Sequence, residues 1–150
     1  MQLSDIAGAI GKGLLAGIVG TAAITASTTL EMKLRGREPS PAPSKAGGKV
    51  LGVQPRNPEG QARFAAAMHW GYGAAWGVVR GLLSLTGLRG PVAGAAHFGA
   101  VWAAELAMLP ALDVAPPATE MEVEEVAIDA WHHMVYAAAT SAAYEFIDSH

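Results

Sequence analysis

Two stretches of this chain run the length of a long helix without a single full-time charge. Residues 13–30, "GLLAGIVGTAAITASTTL", hold no Asp, Glu, Lys or Arg in eighteen positions, and residues 64–79, "FAAAMHWGYGAAWGVV", hold none in sixteen. A helix of a soluble bundle needs a charged or polar face toward water opposite its apolar stripe. These two have no such face. Two further stretches are nearly as bare. Residues 91–112 contain Glu105 alone, and residues 126–146 contain Asp129, His132, His133 and Glu145. At 1.5 Å per residue an eighteen-residue helix reaches about 27 Å, close to the ~30 Å hydrocarbon thickness of a bilayer.

The expectation is an all-α integral membrane four-helix bundle. It is one domain over residues 1–150, with spans at about 13–31, 64–86, 91–112 and 123–147. Composition agrees. Half the chain is hydrophobic and 15% is charged, against about 25% in ordinary soluble domains. The absence of cysteine excludes disulfides, thiolate zinc sites, iron–sulfur clusters and c-type haem attachment. A net charge of −3 argues against a nucleic-acid partner. The start, "MQLSDIAGAIGKG", lacks a basic leader, and the apolar run is long for a secretory signal.

The connections fit four spans. Residues 32–62 form a long polar loop with Pro39, Pro41, Pro43, Pro55 and Pro58, and a short helix around Ser44 to Leu51. "GLRGP" at 87–91 makes a tight turn, with Pro91 suited to a first helical turn. "DVAPPATEM" at 113–121 breaks the chain again, and Thr119 with Glu122 reads as a capping box opening the last helix. Lys33, Arg35, Arg37, Lys45, Lys49, Arg56 and Arg63 flank the long loop, while Lys12, Arg80 and Arg89 lie toward the other side. Seven basic residues against three place that loop in the cytoplasm and both termini outside, in a bacterial inner membrane.

Small residues recur at four-residue spacing: Gly73, Gly77 and Gly81, then Gly94, with Ala95, Gly99 and Ala103 beyond. In lipid, helices associate by close backbone approach, which such spacing permits. The expected partners are the bilayer and other helices, in this chain, in a second copy or in other membrane subunits.

Each span also carries a polar stripe, which should face the bundle interior because polar groups in hydrocarbon are costly. The stripes are Thr21, Thr25, Thr28 and Glu31; His69, Tyr72, Trp76 and Arg80; His97 and Glu105; and Glu125, Asp129, His132, His133, Tyr136 and Thr140. Three chemistries fit them. The first is interhelical hydrogen bonding with no cofactor, in which Glu105 links to His97 or Arg80. The second is haem or a transition metal. His69 with His132 or His133 could match in depth as axial haem ligands, and Asp129, His132, Glu105, His97 and Glu31 are candidate metal ligands. Asp129-x-x-His132 has the spacing of the carboxylate–histidine pair in helical di-iron proteins, but Gly94 and Ala66 stand where second pairs would need carboxylates. The third is a proton or ion path.

Other motifs fail. Gly11-x-Gly13-x-x-Ala16 has no strand before it, "AGGKV" at 46–50 lacks the rest of a phosphate loop, and neither a nucleophile elbow nor HExxH occurs. With "LEMKLRGREPS" (30–40), "HWGYGAAWG" (69–77) and "AIDAWHHMVYAAATSAAYE" (127–145), the chain resembles a group of small four-span bacterial membrane proteins common in actinobacteria. The resemblance covers nearly the whole length. It implies topology rather than an activity, and it draws attention to Arg35, Arg37, Tyr72, His132, His133 and Tyr136. The functional expectation is a non-enzymatic accessory or scaffold subunit of a larger membrane complex. The alternatives are a haem- or metal-binding redox protein and a proton or ion conduit.

Overall fold

The computed structural model describes residues 2–150 and is all-helical. Five α-helices follow one another: α1 (Leu3–Arg35), α2 (Ala42–Leu51), α3 (Pro58–Leu85), α4 (Gly90–Ala111) and α5 (Val123–Ser149), with a 3₁₀ turn at Ala118–Glu120 before α5. No strand occurs among the described residues.

Local chemistry sets the ends. α1 begins ten residues before the expected span, where the Asp5 carboxylate accepts the Gln2 backbone N–H at 2.7 Å, and it closes on Gly36 at φ 65, a conformation that favours glycine. Asn57 caps α3 by accepting the Gly60 N–H at 2.7 Å, and Pro58 fits the first turn. The connection from α3 to α4 turns through Gly87 at φ 86. The expected capping box at α5 does not form. Thr119 is taken up in the 3₁₀ turn and Glu122 itself stands at the N-cap without a side-chain bond. Glu124 and Glu125 in the first turn complement the helix dipole instead.

α1 is the hub. It packs most extensively on α3 and then on α5, while α4 rests mainly on α5 and α2 lies against α3. The α1–α3 seam is backbone on backbone. A Cβ placed on Gly17 would lie 2.7 Å from the Gly73 carbonyl oxygen and 2.8 Å from that of Ala74. One on Gly13 would lie 2.5 Å from the Gly77 oxygen, and one on Gly77 would lie 2.6 Å from the Gly17 Cα. Gly81 meets Ala9 in the same seam, and a Cβ on Gly94 would lie 3.3 Å from the Ser141 hydroxyl oxygen of α5. Gly99 departs from the expected packing set: a Cβ there meets nothing within 4 Å. It lies on the outer face of α4.

The interior is small and polar. Among the described residues no Leu, Ile, Met, Phe or Trp is buried, and Val101 is the one branched aliphatic that is. The largest fully buried side chains are Arg80, His97, Thr21 and Thr140. The bulky apolar side chains, including Leu15, Ile18, Val19, Val92, Trp131, Met134 and Phe146, point outward. Two helices, α1 and α4, are long and apolar enough to cross a membrane, where four such spans were expected. α3 and α5 have the length, at 28 and 27 residues, but polar groups lower their mean apolarity.

If the seam carries the fold, Gly77→Val should destabilise the protein by about 1–3 kcal/mol through overpacking, read as an earlier unfolding midpoint in a denaturing-detergent titration. Gly99→Ala should leave that midpoint in place. Equal effects of the two changes would contradict the assigned faces.

Candidate functional site

The polar stripes turn inward along much of their length. Thr21, Arg80, His97, His132, Tyr136 and Thr140 are all buried, while Tyr72 is 44% exposed on the outer side of α3. Where α1, α3 and α5 meet, the Tyr136 hydroxyl donates to the Gly73 carbonyl at 2.6 Å; a Cβ on Gly73 would collide with the Thr21 side chain of α1. Arg80 donates through Nε to Ser141 at 3.0 Å and through a terminal nitrogen to Glu145 at 3.1 Å, and its guanidinium lies 4.7 Å from the Tyr144 ring centre. Glu105 therefore does not pair with Arg80, and it does not pair with His97 either: His97 Nε2 donates to the Trp76 carbonyl at 3.0 Å.

The histidines separate into distinct settings. His69 Nε2 bonds Thr25 of α1 at 2.8 Å, and His132 Nδ1 bonds Ser27 of α1 at 2.9 Å. The two rings are therefore at similar depth. They reach different positions of α1, and each ring has one nitrogen taken up by an α1 hydroxyl. Glu31 is occupied by Arg37, which approaches it through two nitrogens at 2.6 and 3.2 Å, and by Arg35 at 3.3 Å.

His133, next in sequence to His132, points to α4. Its Nδ1 lies 2.9 Å from the Asp129 backbone carbonyl, one turn earlier, and 3.5 Å from the Asp129 carboxylate. A carbonyl only accepts, so Nδ1 carries a proton. The other nitrogen, Nε2, contacts the Glu105 carboxylate of α4. Trp102, also on α4, donates its indole N–H to Asp129 Oδ2 at 2.9 Å. Each of Glu105, Asp129 and His133 can bring a donor atom within 4.8 Å of the other two. All three are partly buried, with His133 the most enclosed at 13% side-chain exposure. This is the one such grouping among the described residues. His132 and His97, named with Asp129 and Glu105 from the sequence, lie elsewhere.

Two chemistries satisfy this arrangement. One is an imidazolium donating from both nitrogens. The other is a neutral imidazole whose Nε2 lone pair and the carboxylates share a cation. Trp102 was missed in the sequence because its partner is on another helix. Its position three residues before Glu105 on α4 was the available signal.

Ion pairs close both ends of the bundle. At the long-loop end, Arg35 of α1 pairs with Glu124 of α5, and Lys49 of α2 donates to the Leu112 carbonyl at the end of α4. At the opposite end Lys12 meets Asp148 at 2.8 Å. That hydrogen bond holds the exposed Lys12 ammonium above the usual lysine pKa.

No known protein family, curated protein or solved structure matches this chain.

A double-mutant cycle tests the seam between α4 and α5. Glu105→Gln and His133→Ala should couple by about 1–2 kcal/mol, and Glu105→Gln with His132→Ala should be additive within about 0.5 kcal/mol. If His133 coupled no more strongly than His132, the Glu105 contact would not hold these helices together.

Proposed function

We propose that this chain is a four-span inner-membrane protein that acts as a non-enzymatic accessory or scaffold subunit, joining other membrane helices through the outer face of α4. The observation that carries the membrane half of this reading is the inversion of the fold. Bulky apolar groups face outward and small or polar groups face inward, the arrangement expected where lipid rather than water is the solvent. The surface area agrees. The chain exposes 8976 Å², where a compact soluble monomer of 15.4 kDa would expose about 7,200 Å². α3 and α5 complete the set of four. Each is more than 25 residues long, and each turns much of its polar stripe toward α1 or its neighbours.

The association half rests on α4. Only 17% of its apolar stretch is buried within the chain. Its exposed side presents Ala95, Gly99, Ala103 and Ala107 at regular four-residue spacing. The glycines of α3 use the same spacing to dock on α1 inside the chain, whereas the α4 stripe has no helix against it. Small residues in such a row admit a partner helix at close range. The long basic loop, cytoplasmic in this reading, is drawn onto the bundle end by the Arg35, Arg37 and Lys49 contacts.

Gly99→Ile and Ala103→Ile should remove higher-order species from native-membrane crosslinking or mild-detergent gel filtration, with the helical spectrum unchanged. Wild-type protein that is already monomeric, with no co-purifying membrane subunit, would overturn the scaffold role. Unaltered association in both variants would move the interface off this face.

A further inference from the structure

We infer that Glu105, Asp129 and His133 form a binding site for one divalent first-row transition ion, of the Zn²⁺ or Mn²⁺ class, in the seam between α4 and α5. The inference goes beyond the scaffold reading and does not depend on it.

The geometry is that of a ligand set already oriented by its neighbours. His133 Nδ1–H donates to the Asp129 carbonyl at 2.9 Å, which fixes the ring and aims Nε2 at Glu105. A ligating histidine commonly donates its other ring N–H to a carbonyl in this way, and such a partner fixes tautomer and direction. The Trp102 indole N–H holds Asp129 Oδ2 at 2.9 Å, while Oδ1 turns toward the His133 ring. Thus each of these two residues has one polar atom tied to the protein and a second atom free to ligate: Nε2 of His133, on the Glu105 side of the ring, and Oδ1 of Asp129, 3.5 Å from Nδ1. The donors can come within 4.8 Å of one another. Donors bound to one tetrahedral ion at about 2.1 Å stand roughly 3.4 Å apart, so side-chain adjustments of about an ångström or so close the set.

Charge points the same way. Neither Glu105 nor Asp129 has a Lys or Arg within 4.0 Å among the described residues; His133 is the one basic group that reaches them. Other partly buried or interhelical carboxylates, Glu31, Glu145 and Asp148 among them, are matched by guanidinium or ammonium groups. Two carboxylates around one imidazole leave a local negative excess in a partly buried seam, which a divalent ion balances. Mixed imidazole and carboxylate donors suit zinc, manganese and iron rather than soft ions. Each of the other buried or half-buried histidines has one ring nitrogen bonded, His69 to Thr25, His97 to Trp76 and His132 to Ser27; His97 Nδ1 and His132 Nε2 have no partner, but neither ring belongs to a cluster of three donors among the described residues. Glu105 lies six residues from the end of α4 and Asp129 six from the start of α5. The site is therefore about 9 Å in from the long-loop end of both helices, and the partial exposure of both carboxylates leaves it open to entry.

The full-length protein, stripped with a chelator and held in mild detergent, would be titrated with Zn²⁺ by calorimetry and with Mn²⁺ by electron paramagnetic resonance. The expected result is one saturable site per chain and one imidazole nitrogen coupled to bound Mn²⁺. Glu105→Gln and Asp129→Asn, which preserve shape, should each weaken binding at least tenfold. His133→Gln should abolish the nitrogen coupling, and His132→Gln should change neither readout. Helical content and gel-filtration position would identify a variant that fails to fold, and the isosteric Glu105→Gln then decides. Absence of saturable binding to wild type, or binding within twofold of wild type in Glu105→Gln, would overturn the site.

Discussion

The contact between Gly13 and Gly17 of α1 and Gly73 and Gly77 of α3 is the constraint from which the rest of the bundle follows. With no side chains between them, the two backbones approach to a distance that even a methyl group would block. That closeness brings Thr25 to His69, and the Gly73 carbonyl beside it accepts the Tyr136 hydroxyl. The tyrosine in turn locks α5 into the angle between α1 and α3. α4 lies on the flank of α5, tied there by the packing of Gly94 against Ser141 and the Glu105–His133–Asp129–Trp102 seam, and tied to α3 by the His97 bond to the Trp76 carbonyl.

An interior built this way gains little from apolar burial, since its residues are glycine, alanine, threonine and a few large polar groups. In water that would be a poor core. In lipid the comparison changes, because apolar side chains lose nothing by facing outward and polar groups gain by meeting one another. Arg80 illustrates this. Its charge is enclosed, yet it is met by Ser141, Glu145 and the Tyr144 ring. The same logic gives the α4–α5 seam its chemical interest, since there the pairing among protein groups leaves a carboxylate over.

Much of the architecture was legible in the sequence because it depends on composition and short-range spacing. Four long helices, the short helix near Ser44 to Leu51 and the tight turn at 87–91 could all be placed from charge-free runs, prolines and glycines. The stripe of Gly73, Gly77 and Gly81 announced a close contact. What remained hidden depends on helix rotation. His132 and His133 are neighbours in sequence, but one turn of about 100° sends the first to Ser27 and Glu31 and the second to Glu105. The carboxylate–histidine spacing drew attention to Asp129 with His132, whereas i to i+4 spacing and a backbone bond join Asp129 to His133. The same ambiguity concealed that Gly99 faces away from the chain, and that His69 and His132 bond different hydroxyls of α1. The opening of α5 was misread for another reason. Pro116 and Pro117 lead into a 3₁₀ turn that uses Thr119 before it can act as a cap.

The central claim is that four helices cross a membrane, with the long loop on the cytoplasmic side. The chain has no cysteine, so single cysteines at Ser44, Thr86, Thr119 and Ser149 can be mapped with a membrane-impermeant maleimide in native membranes of both orientations. The proposed arrangement predicts that Ser44→Cys and Thr119→Cys react only from the cytoplasmic side, and Thr86→Cys and Ser149→Cys only from the outside. Reaction of all four from one side, or of Ser44→Cys and Thr86→Cys from the same side, would contradict it.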